Sequence, residues 1–174
     1  MKLLIAYVSK NGSSRYCAEL LAKELPDNVT TDIVDLENTA SMPDIAMYDA
    51  AVIGGPVRFG VFAKTVRKFL KNNVGKLSSI PCAVFFCCGI SRNSDEYSET
   101  ITPRKLRASL GVHHFGGELK PEKASGMDKL FIKHLRSSIK SFDFEDSDCA
   151  DVSLPELVPE NVLLLAKSIK ELCR

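Results

Sequence analysis

Hydrophobic positions in this chain fall into short unbroken runs separated by stretches with a helical repeat. Residues 2–8, Lys-Leu-Leu-Ile-Ala-Tyr-Val, are mostly apolar and followed by turn formers, the pattern of a parallel strand buried on both faces. Apolar residues then recur at Tyr16-Cys17, Leu20-Leu21 and Leu25, which predicts a helix over 13–25 closed by Pro26. The runs TTDIVDL at 30–36, AAVIGG at 50–55 and PCAVFFCC at 81–88 predict three more strands, with the polar connection ENTASMPDIAMYD between the first two. A second helix is expected over 62–73, with Phe62, Val66, Phe69 and Leu70 facing the core and Lys64, Arg67, Lys68 and Lys71 facing out. A helix near 98–110 stopped by Gly111, a fifth strand near 112–119 and a last helix after Pro159 complete the pattern.

Strands that alternate with helices and are too apolar to face water imply a parallel sheet with helices on both faces, a three-layer α/β fold. The length of 174 residues suits a single domain over 1–174. About 40 residues separate the fifth strand from the last helix instead of the usual handful, so an insertion is expected over about 120–150. Part of it, MDKLFIKHLRSSIK, is amphipathic: Met127, Leu130, Phe131, Leu135 and Ile139 face one way, and Lys129, Lys133, Arg136 and Lys140 mostly the other.

Open α/β sheets bind ligands beyond the carboxyl ends of their strands, where the strand order reverses. Three segments leave strands at that edge, Ser9–Ser14, Gly54–Gly60 and Cys87–Tyr97, all rich in glycine or small polar residues. In the first, Ser9, Ser13 and Ser14 offer hydroxyls, Lys10 and Asn11 further donors, and Gly12 a close backbone approach at a helix amino end, where N–H groups and the dipole favour an anion. The same residues also suit an ordinary capped helix, and both readings stand at this point. Other phosphate chemistries fail on inspection. The chain has no G-x-x-x-x-G-K-[ST], no G-x-G-x-x-G after strand one, no acidic residues ending strands one and three, and no cysteine inside the first loop, Cys17 lying within the helix.

The segment YVSKNGSSR resembles the phosphate loop of the flavodoxin family, an S/T-x-T/N-G-x-T/S pattern of neutral donors. The resemblance implies a five-stranded parallel sheet over essentially the whole chain, FMN as cofactor, and a phosphate site at Ser9, Lys10, Asn11, Gly12, Ser13 and Ser14. The segment VIGGPVRFGVFAKTVRKFLKNN is similar to the flavodoxin-like, quinone-dependent protoporphyrinogen oxidases of bacteria. That likeness implies that Gly55, Pro56, Val57, Arg58, Phe59 and Gly60 border the isoalloxazine. Phe59 would stand where flavodoxins often put a stacking tryptophan, and backbone near Gly60 would accept a hydrogen bond from flavin N5–H. The third loop, CCGISRNSDEYSE, lacks the acidic G-D-x-x-Y pattern of many flavodoxins. Cys88, Gly89 and Ile90 would still meet the ring edge through backbone, with Tyr97 as a second aromatic.

Composition and charge narrow the functional classes. No apolar run approaches the roughly 18 residues of a membrane span, and the amino end lacks a signal-like pattern, so a cytoplasmic protein is expected. None of the six cysteines forms a C-x-x-C pair, no metal site is expected, and Cys82, Cys87 and Cys88 read as small hydrophobes in a strand. The net charge of +1 hides an asymmetry: residues 58–140 carry sixteen basic and six acidic groups, and both flanking segments are acidic.

Carrier flavodoxins are typically acidic, whereas this middle segment suits an anionic substrate, or an acidic membrane surface touched through 127–140 at the inner face. Two readings follow. One is an electron carrier serving a redox partner protein or a small-molecule donor or acceptor; the other is an FMN-dependent oxidoreductase reoxidised by a quinone or another acceptor. A flavin-free docking module is a third, and nucleic acid is not an expected partner. No residue is singled out as catalytic, because His113 and His114 precede the fifth strand and are expected at the opposite edge.

Overall fold

The computed structural model describes residues 1–40, 42–58, 60–88, 97, 100–117 and 156–173. The expected insertion and its amphipathic stretch 127–140 lie outside the described residues, as do Phe59, Gly89 and Ile90. Strands β1 (Lys2–Tyr7), β2 (Thr30–Asp35), β3 (Ala50–Arg58), β4 (Val61–Phe62), β5 (Cys82–Cys87) and β6 (Val112–His114) alternate with helices α1 (Ser13–Lys23), α2 (Lys64–Asn72), α3 (Val74–Ser78) and α4 (Pro159–Glu171). Five strands run parallel in the order β2-β1-β3-β5-β6, and β4 pairs antiparallel with the end of β3.

Each central strand sends alternate side chains to opposite faces, which is why its sequence is apolar without alternation. Leu4, Ala6, Val8, Ile53, Val84 and Phe86 enter one core with Val66, Phe69 and Leu70 of α2 and Leu77 of α3. Leu3, Ile5, Tyr7, Val52 and Phe85 enter the other with Cys17 and Leu21 of α1 and Leu165 and Ile169 of α4. Strand β2 departs from the all-apolar expectation, with Thr30 and Ile33 exposed, because it is an edge strand. Its Asp32 accepts from Tyr48 Oη at 2.9 Å and pairs with Lys2 Nζ at 3.1 Å, and these contacts hold its carboxyl below the ordinary range, Lys2 contributing most.

Two expectations are corrected. The helix expected near 98–110 does not run on past Thr100: Tyr97 and Thr100 are helical and Ile101 N–H bonds Tyr97 O at 2.9 Å, but no helix follows. Pro103 has no N–H and disfavours a helical Thr102, so turns follow, closed by Leu106 N–H to Pro103 O at 2.8 Å and Gly111 N–H to Ala108 O at 2.9 Å. The fifth parallel strand, expected over 112–119, ends at His114; Gly116, at φ 73°, turns the chain into an isolated antiparallel bridge with Leu157. Residues 118 and 119 lie outside the described set.

The register sets Tyr7, Gly54, Phe85 and His113 side by side across four strands. A Cβ on Gly54 would fall inside the Phe85 ring, so β3 and β5 pair at this level only because Gly54 has no side chain. Gly54→Ala is therefore expected to destabilise the fold by about 1–3 kcal/mol, the usual cost of overpacking, read from the urea midpoint; an unchanged midpoint would refute this account of the pairing.

Candidate functional site

The site begins where the ladder runs out. Strand β1 ends at Tyr7, the Val8 N–H still bonds Gly54 O at 3.0 Å, and the chain then turns through residues 9–12 into α1. Gly12 adopts the left-handed region at φ 91° and its carbonyl accepts from Tyr16 N–H at 2.9 Å, opening the helix without a side-chain cap of its own. Ser9 Oγ accepts from Arg15 N–H at 3.3 Å, so this serine reaches across the loop to satisfy the third amide of the helix. No carbonyl or side chain among the described residues accepts from the N–H groups of Asn11, Gly12, Ser13 or Ser14. Four adjacent unpaired donors lie on a loop that is partly exposed, at the positive end of an eleven-residue helix.

The side chains around this cradle do different work. Ser14 is only 1% exposed, and its hydroxyl hydrogen-bonds the Cys87 thiol, as Cys17 does from the next turn of α1. These contacts brace the amino end of α1 against the end of β5. The hydrogen bond with Cys87, followed by burial, pushes the Cys17 thiol far up, and burial alone pushes Cys82 up to about 12, so both stay protonated. Lys10 turns away to Glu37, Nζ to Oε2 2.8 Å, which leaves neutral groups around the four amides. Tyr7 beneath them is buried and its phenol is pushed up, first by burial and then by Asp35.

The second segment is a hairpin rather than a loose loop. Strand β3 runs on through Pro56, Val57 and Arg58 past the sheet edge and folds back, pairing Val57 with Phe62 and Arg58 with Val61. Two residues connect the arms, of which Gly60 sits at φ 74°. Ala63 N–H bonds Pro56 O at 3.1 Å, and Phe62 is 3% exposed, so the hairpin base is anchored while Val61 at its tip is open. Gly55 lies against Val66 and the Val8 carbonyl, where a Cβ would be crowded at 3.0 and 3.3 Å.

The third segment comes to the same edge. Tyr97 packs edge-on to Phe86, with ring centroids 6.2 Å apart, and its hydroxyl would lie 3.8 Å from a Cβ placed on Gly60. Cys88 is tied down at both ends of its backbone, its N–H to Gly116 O at 2.9 Å and its carbonyl to His114 Nε2 at 3.0 Å. The structure thus gathers Ser9–Ser14, Gly55–Arg58, Gly60, Cys88 and Tyr97 at one edge, over the crevice between β1 and β3 where the strand order reverses.

Sequence reasoning missed His114. It was expected at the opposite edge, yet it lies inside β6 level with Phe86, on which its ring stacks at 4.9 Å. The glycines at 111 and 116, both at positive φ, bracket the strand and were the available signal, but only the register with β5 places the ring.

Comparison with known proteins agrees with this geometry. A profile of the flavodoxin domain matches residues 4–146. The chain is 28% identical over 97 residues to the protoporphyrinogen IX dehydrogenase [quinone] of Escherichia coli (strain K12), covering 55% of this chain and 53% of that one. It is 27% identical over 145 residues to the protein of that name in Leishmania major, covering 77% and 62%. The chain thus spans about half the length of the Escherichia coli relative. Among solved structures, a flavodoxin of Streptococcus pneumonia TIGR4 superposes with a TM-score of 0.52 at 14% identity, covering 98% of this chain and 99% of that one, which is a likeness of fold.

Nothing lies within 4 Å of a Cβ built on Gly12, so the demand there is for positive φ and not for space. Gly12→Ala is expected to cost about 1–2 kcal/mol, and Gly12→Asn less, because asparagine tolerates the left-handed region. Equal costs in urea unfolding would show that the conformation is not what selects glycine.

Proposed function

This chain belongs to the flavodoxin domain family, and from that premise we propose that it is a single-domain FMN-binding redox protein that carries out electron transfer. The observation that carries the reading is the set of four unpaired amides at residues 11–14, with neutral side chains around them at the sheet's switch point. A phosphate monoester fits that donor set, because charge-assisted hydrogen bonds to backbone N–H groups compensate the dianion where no cation does.

In this proposal the amides of Asn11, Gly12, Ser13 and Ser14 hold the phosphate, and the Ser9 and Ser13 hydroxyls are within the same loop. Ser14 contributes its amide, since its hydroxyl is engaged with Cys87. The hairpin at Gly55–Gly60 and Tyr97 form the walls that hold the ring and limit water, and the open backbone at Gly60 orients its reactive edge. Cys88, pinned by Gly116 and His114, starts the wall that Gly89 and Ile90 continue in the proposal. Bound FMN supplies one- and two-electron redox chemistry, and the protein sets its access and potential.

A second reading, a quinone-dependent dehydrogenase of protoporphyrinogen type, is favoured by the likeness to the two relatives of that name. It would take a small-molecule acceptor where the carrier takes a protein, and it accommodates peripheral membrane contact through 127–140. No helix among the described residues is long and apolar enough to cross a membrane.

Titration of the flavin-free protein with FMN, followed by anaerobic reduction, tests the reading. Retention of FMN and reduction in two resolved one-electron steps support the carrier; a single two-electron step with turnover of protoporphyrinogen supports the dehydrogenase; no retention overturns both. Ser13→Glu separates a phosphate cradle from a mere helix start. A carboxylate there stabilises the helix amino end by about 0.3–1 kcal/mol but repels the phosphate, so FMN affinity should fall at least about tenfold while the flavin-free protein unfolds no earlier. Unchanged affinity would refute the assignment of this loop.

A further inference from the structure

The two helix layers of the sheet differ in charge. Between Ala50 and Cys88 the chain carries six basic side chains and no acidic one, and residues 100–117 add three more basic and again no acidic. These segments build one layer, because α2, α3 and the turns after Tyr97 share one core, and Arg107 N–H bonds Ser78 Oγ at 3.0 Å. Lys64, Arg67, Lys68, Lys71, Arg104 and Arg107 are all exposed on it. No carboxylate among the described residues pairs with any of these six, whereas Lys76 is bound to Asp44 at 2.7 Å. The opposite layer is mixed, with Arg15 paired to Glu19 along α1 and Glu160 and Glu171 on α4.

Local stability does not explain the arrangement. Lys64 stands in the first turn of α2, which has no acidic residue, although the helix dipole favours the reverse. Lys64 with Lys68 and Arg67 with Lys71 are like-charge i,i+4 pairs, each unfavourable in an isolated helix. An ordinary solvated face would intersperse signs. Alpha-helix α2 also begins directly after the hairpin, so Lys64 lies at the rim of the proposed flavin site. A strong field of one sign beside a redox centre steers an oppositely charged partner toward it.

We propose that the layer formed by α2, α3 and the turns at 101–110 is the docking surface for an acidic redox partner protein. The proposal rests on the FMN reading and gives the partner of that site its charge, opposite to the basic partner that an acidic carrier would need. A protein is favoured over a lipid surface because, among the described residues, α2, α3 and the turns at 101–110 themselves expose no large apolar side chain to insert; the exposed apolar side chains near them include Met47, next to α3, and Val61 of the hairpin. The electron count is simple. One electron leaves the partner's reduced centre, which is oxidised, and enters the flavin, which is reduced; two such transfers, with two protons from water, complete the two-electron reduction.

A strongly acidic [2Fe–2S] ferredoxin is the probe, with basic cytochrome c as its opposite. Stopped-flow reduction of the FMN-loaded protein by reduced ferredoxin should slow at least about tenfold between 20 and 500 mM NaCl, in keeping with electrostatic steering. Oxidation of the reduced protein by ferricytochrome c should accelerate over the same range. The variant Lys64→Glu, Arg67→Glu and Lys68→Glu should lose the ferredoxin salt dependence or reverse it while retaining FMN. Salt-independent rates with bound flavin, or faster reaction with cytochrome c at low salt, would overturn the proposal. So would saturable binding to phosphatidylglycerol vesicles or duplex DNA that the triple variant abolishes, with ferredoxin rates unmoved. A protein that retains no flavin overturns both this proposal and the function it rests on, and the missing flavin absorbance distinguishes that failure from a failure of docking.

Discussion

A backbone N–H or C=O taken out of water must find a partner, and in this chain that constraint shapes both the sheet and the site. Strands β1, β3 and β5 are covered on both faces, so nothing but their own parallel ladders can satisfy them. The ladders end together at the carboxyl edge, at Tyr7 in β1 and at Cys87 in β5. Beyond them the amides at the start of α1 and its loop have no ladder to join. Of the five at residues 11–15, Ser9 Oγ satisfies that of Arg15, and four remain. The cradle is what the sheet leaves over at the point where its strand order reverses.

The same edge is held rigid by pieces that do not touch the cradle directly. Ser14 and Cys17 lock α1 to Cys87, and Gly54 lets β3 close onto Phe85. His114 stacks on Phe86 and holds the Cys88 carbonyl. Phe86 and Cys87 read as core in the sequence, and their positions at the end of β5 make them supports of the site as well. Cys17 and Cys82 are small, buried and protonated here, which is consistent with packing rather than redox work.

Charge is separated by layer, and the sheet does the separating. The crossover from β3 to β5 carries α2 and α3 to one face, while the crossover from β1 to β2 carries α1 to the other. Among the described residues, the α1 and α4 side carries Glu19, Glu160 and Glu171, whereas α2, α3 and the turns at 101–110 carry basic side chains and no acidic one. An overall charge near zero thus coexists with a row of exposed cations on α2 that no described carboxylate pairs with, beside the flavin edge.

The amino-acid sequence by itself determined the elements and their class. Unbroken apolar runs can be satisfied only as strands covered on both sides, and the helical repeats between them supply the covers, so a three-layer parallel fold was legible, as was the hydroxyl-rich turn at Ser9–Ser14. The resemblance to flavodoxins was legible in the same turn, because its neutral donors and single glycine answer a local requirement. Tertiary structure alone decided what depends on register and on contacts between distant segments. That Ser14 faces Cys87 and that Tyr97 reaches Gly60 follow from contacts between distant segments, and that His114 stands level with Phe86 follows from strand pairing, where a shift of one residue would move its side chain to the other face. The helix expected at 98–110 failed for a local reason that the sequence already held: Pro103 breaks it, and Ile101 and Leu106 are apolar because they pack on the core from turns.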